Sequence, residues 1–200
     1  MESYHDYVIK DGQFIGQFDD MYAAFDDPWH QSHQPNPYSR QAAILSMQRL
    51  GLRSVVEFGC GLGFYSDQIH RATGIVPTGV DISPVAITKA KQQFPHLHFE
   101  VGTVQDMAPY ASHDAVLFAE ITWYILPDLP AIIEGLRTHF KGKYLLHNLV
   151  FYKGTQKYGT DYFTSLKELI AYMPFPCECH VEATTAQDTT IETHTVFRIE

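Results

Sequence analysis

Short apolar runs alternate with longer amphipathic segments through the middle of the chain, a pattern typical of α/β proteins. The runs predict five strands, at 54–58, 76–80, 97–101, 114–119 and 143–150. The segments between them predict helices at 63–73, after Pro84 and at 127–140. Because strand, helix and strand follow one another, we expect right-handed crossovers and a doubly wound, mainly parallel sheet with helices on both faces.

The two ends of the chain depart from this pattern. Residues 164–173 predict a helix, and residues 180–183 and 194–199 predict two strands joined into a hairpin by a polar link. Near the N-terminus, apolar residues at helical spacing predict an amphipathic helix over 13–25, then a loop at 30–37 and a helix over 38–50. We therefore expect an N-terminal helical lid or extension, 1–37, and a core, 38–200, within one domain overall.

Composition limits the possible classes of protein. A length of 200 residues suits one domain, and 45% hydrophobic residues indicate a folded globular protein. The formal net charge of −9 makes nucleic acid and anionic membranes poor partners. No apolar run approaches the roughly 20 residues that span a bilayer, and no secretory signal is visible at the N-terminus. Three cysteines without framework spacing fit a reducing compartment, so we expect a cytoplasmic protein.

The first predicted strand leads into three glycines at alternate positions, Gly59, Gly61 and Gly63, shortly after Glu57. Glycine has no Cβ, so the backbone can turn tightly there and approach a ligand closely. Dinucleotide-binding loops have the spacing Gly-x-Gly-x-x-Gly and direct a helix N-terminus at a pyrophosphate, which a nearby carboxylate would repel. The spacing here and Glu57 favour a cationic ligand instead. A nicotinamide-dependent oxidoreductase is the alternative that these features count against.

A second acid stands at the end of the next strand. Asp81 lies about 20 residues after the glycine loop, the spacing at which the acid of a βαβ unit meets a ribose. A carboxylate can accept hydrogen bonds from both adjacent ribose hydroxyls. The alternative role of Asp81 is to cap the helix that follows Pro84.

The glycine loop with its acidic lead-in, followed by Asp81, resembles the first two motifs of the class I S-adenosylmethionine (SAM)-dependent methyltransferases. SAM carries a sulfonium and an ammonium group, which suits the acid at position 57. The resemblance covers residues 38–200. It implies a Rossmann-like sheet of seven strands with the last strand antiparallel beside the fifth, SAM as the cofactor and S-adenosylhomocysteine (SAH) as the product.

Within this class the chain most resembles the small-molecule group that includes nodulation-type and amino-sugar N-methyltransferases. The shared features are an Asp-Pro-Trp turn at 27–29 and a Tyr-x-Arg helix start at 38–40. The resemblance implies that Arg40 binds the SAM carboxylate through its guanidinium fork, the alternative being a solvated helix residue. The expected cofactor contacts are Arg40, Glu57, Gly59, Cys60, Gly61, Gly63, Asp81, Ile82, Thr103, Val104, Gln105 and Glu120.

The adenine contacts depart from the family's pattern. Relatives often have an acid after the glycine that follows the third strand, and that acid meets the adenine amino group. Here Thr103 follows Gly102, so Gln105, Asp106 or the backbone N–H of Val104 is expected to serve instead.

Methyl transfer needs a general base when the acceptor arrives as an ammonium or a hydroxyl. Glu120, after the fourth predicted strand, is the first candidate for a base or an acceptor-orienting group; it could instead contact the SAM ammonium or cap the next segment. His147 is the second candidate because histidine titrates near neutral pH, with a structural histidine as the alternative. His30 and Tyr152 are weaker candidates.

Aromatic residues and loops are expected to enclose the acceptor. Trp123 and Tyr124 are candidates for a substrate wall, with a core position as the alternative. Trp29 and His30 belong to the predicted lid, and the loop 153–159 is expected to cover the other side.

The sequence does not predict a metal site. Cys177 and Cys179 lack the second pair of ligands that a structural zinc site requires, so we expect two buried cysteines at the start of a strand.

The expected function is methyl transfer from SAM to nitrogen or oxygen of a small polar metabolite, with a sugar or amino-sugar favoured by the resemblance alone. The alternative is a SAM-binding regulator without turnover. We expect no nucleic-acid or membrane partner, and a monomer or homodimer.

Overall fold

The computed structural model describes residues 4–10, 13–34, 36–156 and 159–200. Its strands are β1 (Ile9–Lys10), β2 (Gln13–Phe14), β3 (Val55–Phe58), β4 (Thr78–Asp81), β5 (His98–Val101), β6 (Ala115–Ala119), β7 (Tyr144–Tyr152), β8 (Cys177–Ala183) and β9 (Thr190–Arg198). Its α-helices are α1 (Phe18–Ala24), α2 (Tyr38–Arg49), α3 (Phe64–Thr73), α4 (Pro84–Gln93), α5 (Leu129–Phe140) and α6 (Leu166–Tyr172). Short 3₁₀ helices lie at Tyr4–Tyr7, Gln31–His33, Ala108–Tyr110, Thr122–Tyr124 and Leu126–Asp128.

Seven strands form one sheet in the order β5-β4-β3-β6-β7-β9-β8. The strands from β5 to β7 pair in parallel, whereas β9 pairs antiparallel with both β7 and β8. This confirms the doubly wound, mainly parallel sheet, and it confirms that the last strand lies antiparallel beside the fifth strand of the core.

Helices cover both faces of the sheet because neighbouring residues on a strand point to opposite sides. Val56 of β3 packs into a core cluster with α5 and α6, whereas Val55 packs into a second cluster with α2 and α3. All four residues of β3 are buried, as expected for a central parallel strand covered on both faces. Within the described residues, no helix has the length and apolar character needed to cross a membrane.

Hydrogen bonds between buried polar side chains join the C-terminal hairpin to the core. His194 on β9 contacts Asn148 Oδ1 through Nδ1 at 2.8 Å, and Ser46 Oγ on α2 through Nε2 at 2.9 Å. Burial lowers the pKa of His194 to about 4, so its ring is neutral at pH 7. The antiparallel strand is therefore held by side-chain hydrogen bonds to a helix as well as by its strand pairing.

The N-terminal prediction was wrong in one part. The helix begins at Phe18 rather than at residue 13, and Gln13–Phe14 pairs antiparallel with Ile9–Lys10. The physical reason is Gly16, whose φ of 62° lies outside the helical region and separates the two elements. Helix α5 also begins two residues later than predicted, after the short 3₁₀ turn Leu126–Asp128.

The N-terminal segment packs against the core through polar contacts to α4. Asp19 Oδ1 accepts hydrogen bonds from the Ser83 hydroxyl at 2.6 Å and from the Val85 N–H at 3.0 Å. Lys89 Nζ donates to the carbonyl oxygens of Tyr22 and Phe25, at the end of α1. These contacts join the segment to α4, the helix that follows Asp81. The division of the chain at residue 37 stays a prediction.

The two glycines that flank α3 provide a matched test of its packing. Gly63 and Gly74 have nearly the same φ, 79° and 77°, but a Cβ on Gly63 would lie 2.5 Å from Phe99 Cζ, whereas one on Gly74 would meet nothing within 4 Å. We expect Gly74→Ala to lower the free energy of unfolding by about 1 kcal/mol because of its left-handed backbone. Gly63→Ala should lower it by roughly 1–3 kcal/mol more, because of overpacking. Urea denaturation measures both; equal losses would contradict the proposed packing constraint.

Candidate active site

A cavity of about 800 Å³ opens at the carboxyl ends of the parallel strands, where open α/β sheets bind ligands. The predicted site residues that line it are Trp29, His30, Arg40, Gly59, Asp81, Ile82, Thr103, Val104, Gln105, Glu120, Trp123, Tyr124 and Tyr152. Glu57, Cys60, Gly61, Gly63 and His147 are outside this lining. Most of the predicted residues therefore meet at one place, and the glycine loop borders the cavity mainly through Gly59.

The glycines of the loop make room for protein side chains. A Cβ on Gly59 would lie 2.1 Å from Ile121 Cγ2, and one on Gly61 would lie 2.7 Å from the Tyr22 hydroxyl and 2.9 Å from Gln31 Nε2. Gln31 Oε1 also accepts a hydrogen bond from the Leu62 N–H at 2.9 Å. The N-terminal segment thus lies directly on the loop, a contact that the sequence pattern did not reveal because Gln31 and Tyr22 have no motif of their own.

Asp81 lies where the glycine loop, the end of β4 and the start of α4 meet. Its Oδ2 accepts a hydrogen bond from the Gly61 N–H at 2.8 Å, and its Oδ1 accepts one from the Ser83 N–H at 3.0 Å. Burial raises the pKa of this carboxyl, although these N–H groups oppose the change. Ser83, rather than Asp81, caps α4 by accepting from the Ala86 N–H. Asp81 therefore holds the glycine loop in position and also lines the cavity.

Glu57 lies beneath the loop, with 2% of its surface exposed. Its Oε2 accepts a hydrogen bond from the Ser66 hydroxyl at 2.5 Å. Burial raises the pKa of Glu57 to about 7, although the Ser66 hydrogen bond and the charge of Arg40 act in the opposite direction. Glu57 therefore joins β3 to α3 through this hydrogen bond, and its side chain is outside the lining of the cavity.

Arg40 places a buried guanidinium at the wall of the cavity. Its Cζ lies 4.9 Å from the centre of the Tyr65 ring, and the Tyr65 hydroxyl donates to the Arg40 carbonyl oxygen at 3.1 Å. Only 7% of the surface of Arg40 is exposed, and its Nε is buried without a hydrogen-bond partner among the described residues. Arg40 is the one arginine or lysine among the described lining residues, so its guanidinium suits an anionic group bound in the cavity.

Glu120 has an unusual backbone conformation for a residue with a side chain. It follows β6 with a φ of 66°, and its N–H donates to the Asn148 carbonyl oxygen at 2.9 Å. Burial raises the pKa of its carboxyl; the charge of Glu192 adds to the rise and that of Arg40 opposes it. Left-handed backbone at a non-glycine residue commonly marks functional sites.

The predicted adenine contacts have other partners in the structure. Asp106 Oδ2 accepts hydrogen bonds from the N–H and the hydroxyl of Thr103, at 3.1 and 2.9 Å. Gln105 Nε2 donates to Asp128 Oδ2 at 3.3 Å, and Asp128 also lines the cavity. Asp128 was missed because it belongs to a turn before α5 and to no recognisable motif.

His147 lies in the interior of the sheet, with 2% of its surface exposed. Its Nε2 contacts Thr122 Oγ1 at 2.6 Å, and its Nδ1 has no partner in the described part of the chain. Burial lowers the pKa of His147 to about 3. His147 therefore occupies a structural position, whereas Glu120 and the weaker candidates His30 and Tyr152 line the cavity.

Five aromatic side chains form a wall on one side of the cavity: Tyr4, Phe14, Phe18, Trp29 and Tyr124. The Tyr124 ring is stacked on Phe14 at 5.8 Å and meets Phe18 edge-on at 5.4 Å. Trp29 lies 5.9 Å from Tyr124 and 5.2 Å from Tyr4. We call these residues the aromatic wall. Four of the five come from the N-terminal segment, so the extension supplies most of this surface.

Trp123 and Tyr152 border the cavity away from the aromatic wall. The Trp123 indole N–H donates to the Val150 carbonyl oxygen at 3.0 Å, and the ring packs edge-on against Phe151. Tyr152, at the end of β7, is 43% exposed. Of the predicted covering loop 153–159, Lys157 and Tyr158 lie outside the described residues, as does Pro35 of the loop 30–37.

The cysteine prediction was wrong in one respect. Cys177 and Cys179 stand at the start of β8 as expected, but Cys177 is only partly buried and Cys179 is exposed. The reason is that β8 is the outermost strand of the sheet, and its middle residues face solvent. Among the described residues, no three His, Cys, Asp or Glu side chains are grouped so that they could hold a metal ion.

Part of the chain matches a known family of domains. Residues 55–143 match a family model described as a methyltransferase domain. The trans-aconitate 2-methyltransferase of Deinococcus radiodurans is 34% identical over 89 residues, which are 44% of this chain and 33% of that relative. This chain thus aligns with only a third of that protein's length.

Two solved structures share the fold. The N-methyltransferase NodS from Bradyrhizobium japonicum, in complex with SAH, has a TM-score of 0.66 at 16% identity and covers 92% of this chain and 98% of its own. The magnesium protoporphyrin IX methyltransferase from Synechocystis, with bound SAM, has a TM-score of 0.60 at 18% identity and covers 98% of this chain and 89% of its own. Residues 55–143 therefore match a methyltransferase domain, and the sheet that contains them shares its fold with these two solved methyltransferases.

The buried carboxyl of Glu57 predicts a measurable pH dependence. Its folded pKa of about 7 lies above the ordinary value of 4.5, so the stability it contributes is complete below pH 4.5 and is lost as pH rises through 7. Glu57→Gln removes this titration. Relative to the parent protein, the variant should gain about 1–3 kcal/mol in free energy of unfolding between pH 5 and pH 8.

Urea denaturation at several pH values measures this gain. The control is Glu134→Gln, on the exposed surface of α5, which should follow the parent protein at every pH. Parallel pH profiles for Glu57→Gln and the parent protein would show that Glu57 is ionised in the folded state at pH 5.

Proposed function

We propose that this protein is a SAM-dependent methyltransferase that transfers a methyl group to nitrogen or oxygen of a small polar metabolite. The observation that carries the proposal is that Asp81 and Arg40 line one cavity at the edge of the sheet. A carboxylate suits two ribose hydroxyls, and a guanidinium suits an α-carboxylate. SAM contains both groups.

Each residue has a distinct role in this proposal. Asp81 binds the ribose through the lone pairs that its backbone contacts leave available, and Arg40 binds the amino-acid carboxylate. Ile82 and Val104 supply apolar surface for the adenine. Glu120 accepts a proton from the acceptor. When bound, SAM supplies an activated methyl group with a good leaving group, so alignment and exclusion of water are the main tasks of the chain.

The size of the cavity supports a small acceptor, because about 800 Å³ lies within the range of small-molecule sites and must also accommodate SAM. A sugar or amino-sugar acceptor is supported only by the resemblance to nodulation-type enzymes. The acidic net charge of −9 supports the absence of a nucleic-acid partner. A cytoplasmic location and a monomeric or homodimeric state complete the proposal.

Calorimetric titration with SAH tests the cofactor assignment, with NAD as the matched negative ligand. We expect heat with SAH and none with NAD. Asp81→Ala should weaken SAH binding at least about tenfold, because hydrogen bonds to a charged group contribute about 1.5–3 kcal/mol. Asp81 also anchors the Gly61 N–H, so the variant's folded state should be checked by circular dichroism. Absence of heat with SAH refutes the proposal, and binding without turnover on any acceptor favours the inactive regulator.

Arg40 can be tested with two ligands that differ only in the amino-acid part. 5′-Methylthioadenosine has the adenosyl group and sulfur of SAH but lacks its carboxylate. Arg40→Met should weaken SAH binding about tenfold or more and change binding of 5′-methylthioadenosine by less than about twofold. Calorimetry on both ligands measures this difference. An equal loss for the two ligands would show that Arg40 supports the pocket generally and does not bind the carboxylate.

A further inference from the structure

The charges around the cavity indicate what kind of acceptor it can hold. Among its described lining residues the carboxylates are Asp81, Glu120 and Asp128, and the one guanidinium is that of Arg40. Asp81 is hydrogen-bonded to the loop, and Asp128 to Gln105. If Arg40 binds the carboxylate of the methyl donor, the charged side chains that remain in the described lining, apart from the histidines His5 and His30, are carboxylates.

A second carboxylate lies close to Glu120. A smaller cavity shares Gln34, Glu120, Val150 and Thr190 with the main one and is also lined by Glu192. Glu192 Oε2 accepts hydrogen bonds from the N–H and the hydroxyl of Ser39, at 3.0 and 3.1 Å. These contacts fix the carboxylate of Glu192 in position. A ligand near Glu120 therefore also lies close to the negative charge of Glu192, which raises the pKa of Glu120.

The aromatic wall favours the same kind of ligand. Aromatic ring faces attract cations, by about 0.5–2 kcal/mol for each contact. Trp29, Tyr124 and Tyr4 pack edge-on or tilted against one another, which leaves parts of their rings at the cavity surface. A carboxylate or phosphate on the acceptor would be repelled by Glu120 and Glu192 and would gain nothing from the rings.

We propose that the acceptor is a primary or secondary amine on a flat or apolar scaffold, held as its ammonium between Glu120 and the aromatic wall. This inference rests on the proposed function and narrows its acceptor to nitrogen. Glu120 takes one proton from the ammonium. The freed nitrogen lone pair then bonds to the donor methyl carbon as the carbon–sulfur bond breaks, and the bonding electrons remain on sulfur as neutral SAH. The product leaves as the methylated ammonium, and Glu120 returns its proton to solvent.

Its raised pKa suits Glu120 to this exchange. Burial beside Glu192 disfavours the ionised carboxyl, and an ammonium within contact distance would restore the ionised form until the proton moves. A carboxylate acceptor would offer Glu120 neither a positive charge nor a proton to remove. The trans-aconitate named for the relative is a polyanion, and the match to that relative spans 44% of this chain.

The test uses the full chain saturated with SAH and three probes of the same shape: 2-phenylethylamine, 2-phenylethanol and phenylacetate. Tryptophan fluorescence reports binding, since Trp29 and Trp123 line the cavity. We expect the amine to bind at least about tenfold more tightly than the carboxylate, with the alcohol between them. With SAM in place of SAH, mass spectrometry should detect methylation of the amine alone.

Two variants test whether Glu120 and Glu192 cause the preference for the amine. Glu120→Gln should weaken amine binding about tenfold and leave alcohol binding within about twofold, and Glu192→Gln should have a smaller effect in the same direction. Glu134→Gln is the remote control and should match the parent protein. Absence of an amine preference, including no response to any probe, overturns the inference. If calorimetry still shows SAH binding in that case, the proposed function survives; if SAH does not bind, the function itself fails.

Discussion

The carboxylate of Asp81 is the interaction on which the rest of the site depends. One of its oxygens accepts the Gly61 N–H and the other accepts the Ser83 N–H, so a single side chain joins the glycine loop to the start of α4. Asp19 then joins the N-terminal segment to the same Ser83. The floor of the cavity and most of the aromatic wall are thus linked through one buried acid and one serine. Loss of that acid would disturb the position of the loop as well as remove a carboxylate from the lining of the cavity.

The sequence was sufficient to predict the parallel strands of the sheet, but it was insufficient to predict the N-terminal segment that packs over the cavity. Alternation of short apolar runs with amphipathic segments is a local signal, and it predicted the parallel strands to within a few residues. The position of β9 between β7 and β8 came from family resemblance, since no local pattern encodes strand order. The strand at Gln13–Phe14 was missed because its short apolar stretch fits helical spacing as well as strand alternation.

The candidate site likewise contains residues that the sequence predicted and residues that it did not. Asp81, Arg40 and Glu120 could be predicted because they stand at strand ends or in a recognisable motif, and all three line the cavity. Glu57 and the last two glycines belong to the same motif but serve packing here: Glu57 bonds Ser66, and Gly63 makes room for Phe99. A motif states which residues recur together and leaves open whether each one contacts the ligand. Phe14, Asp128 and Glu192 reach the site through tertiary folding alone, so no spacing along the chain could reveal them.

The backbone at Glu120 has a consequence for the stability of the fold. Holding a residue with a Cβ at a φ of 66° costs about 1–2 kcal/mol, and glycine would adopt that conformation freely. Replacement of Glu120 by glycine would remove that cost together with the carboxylate. Backbone stability and the proposed proton transfer therefore favour different residues at this position.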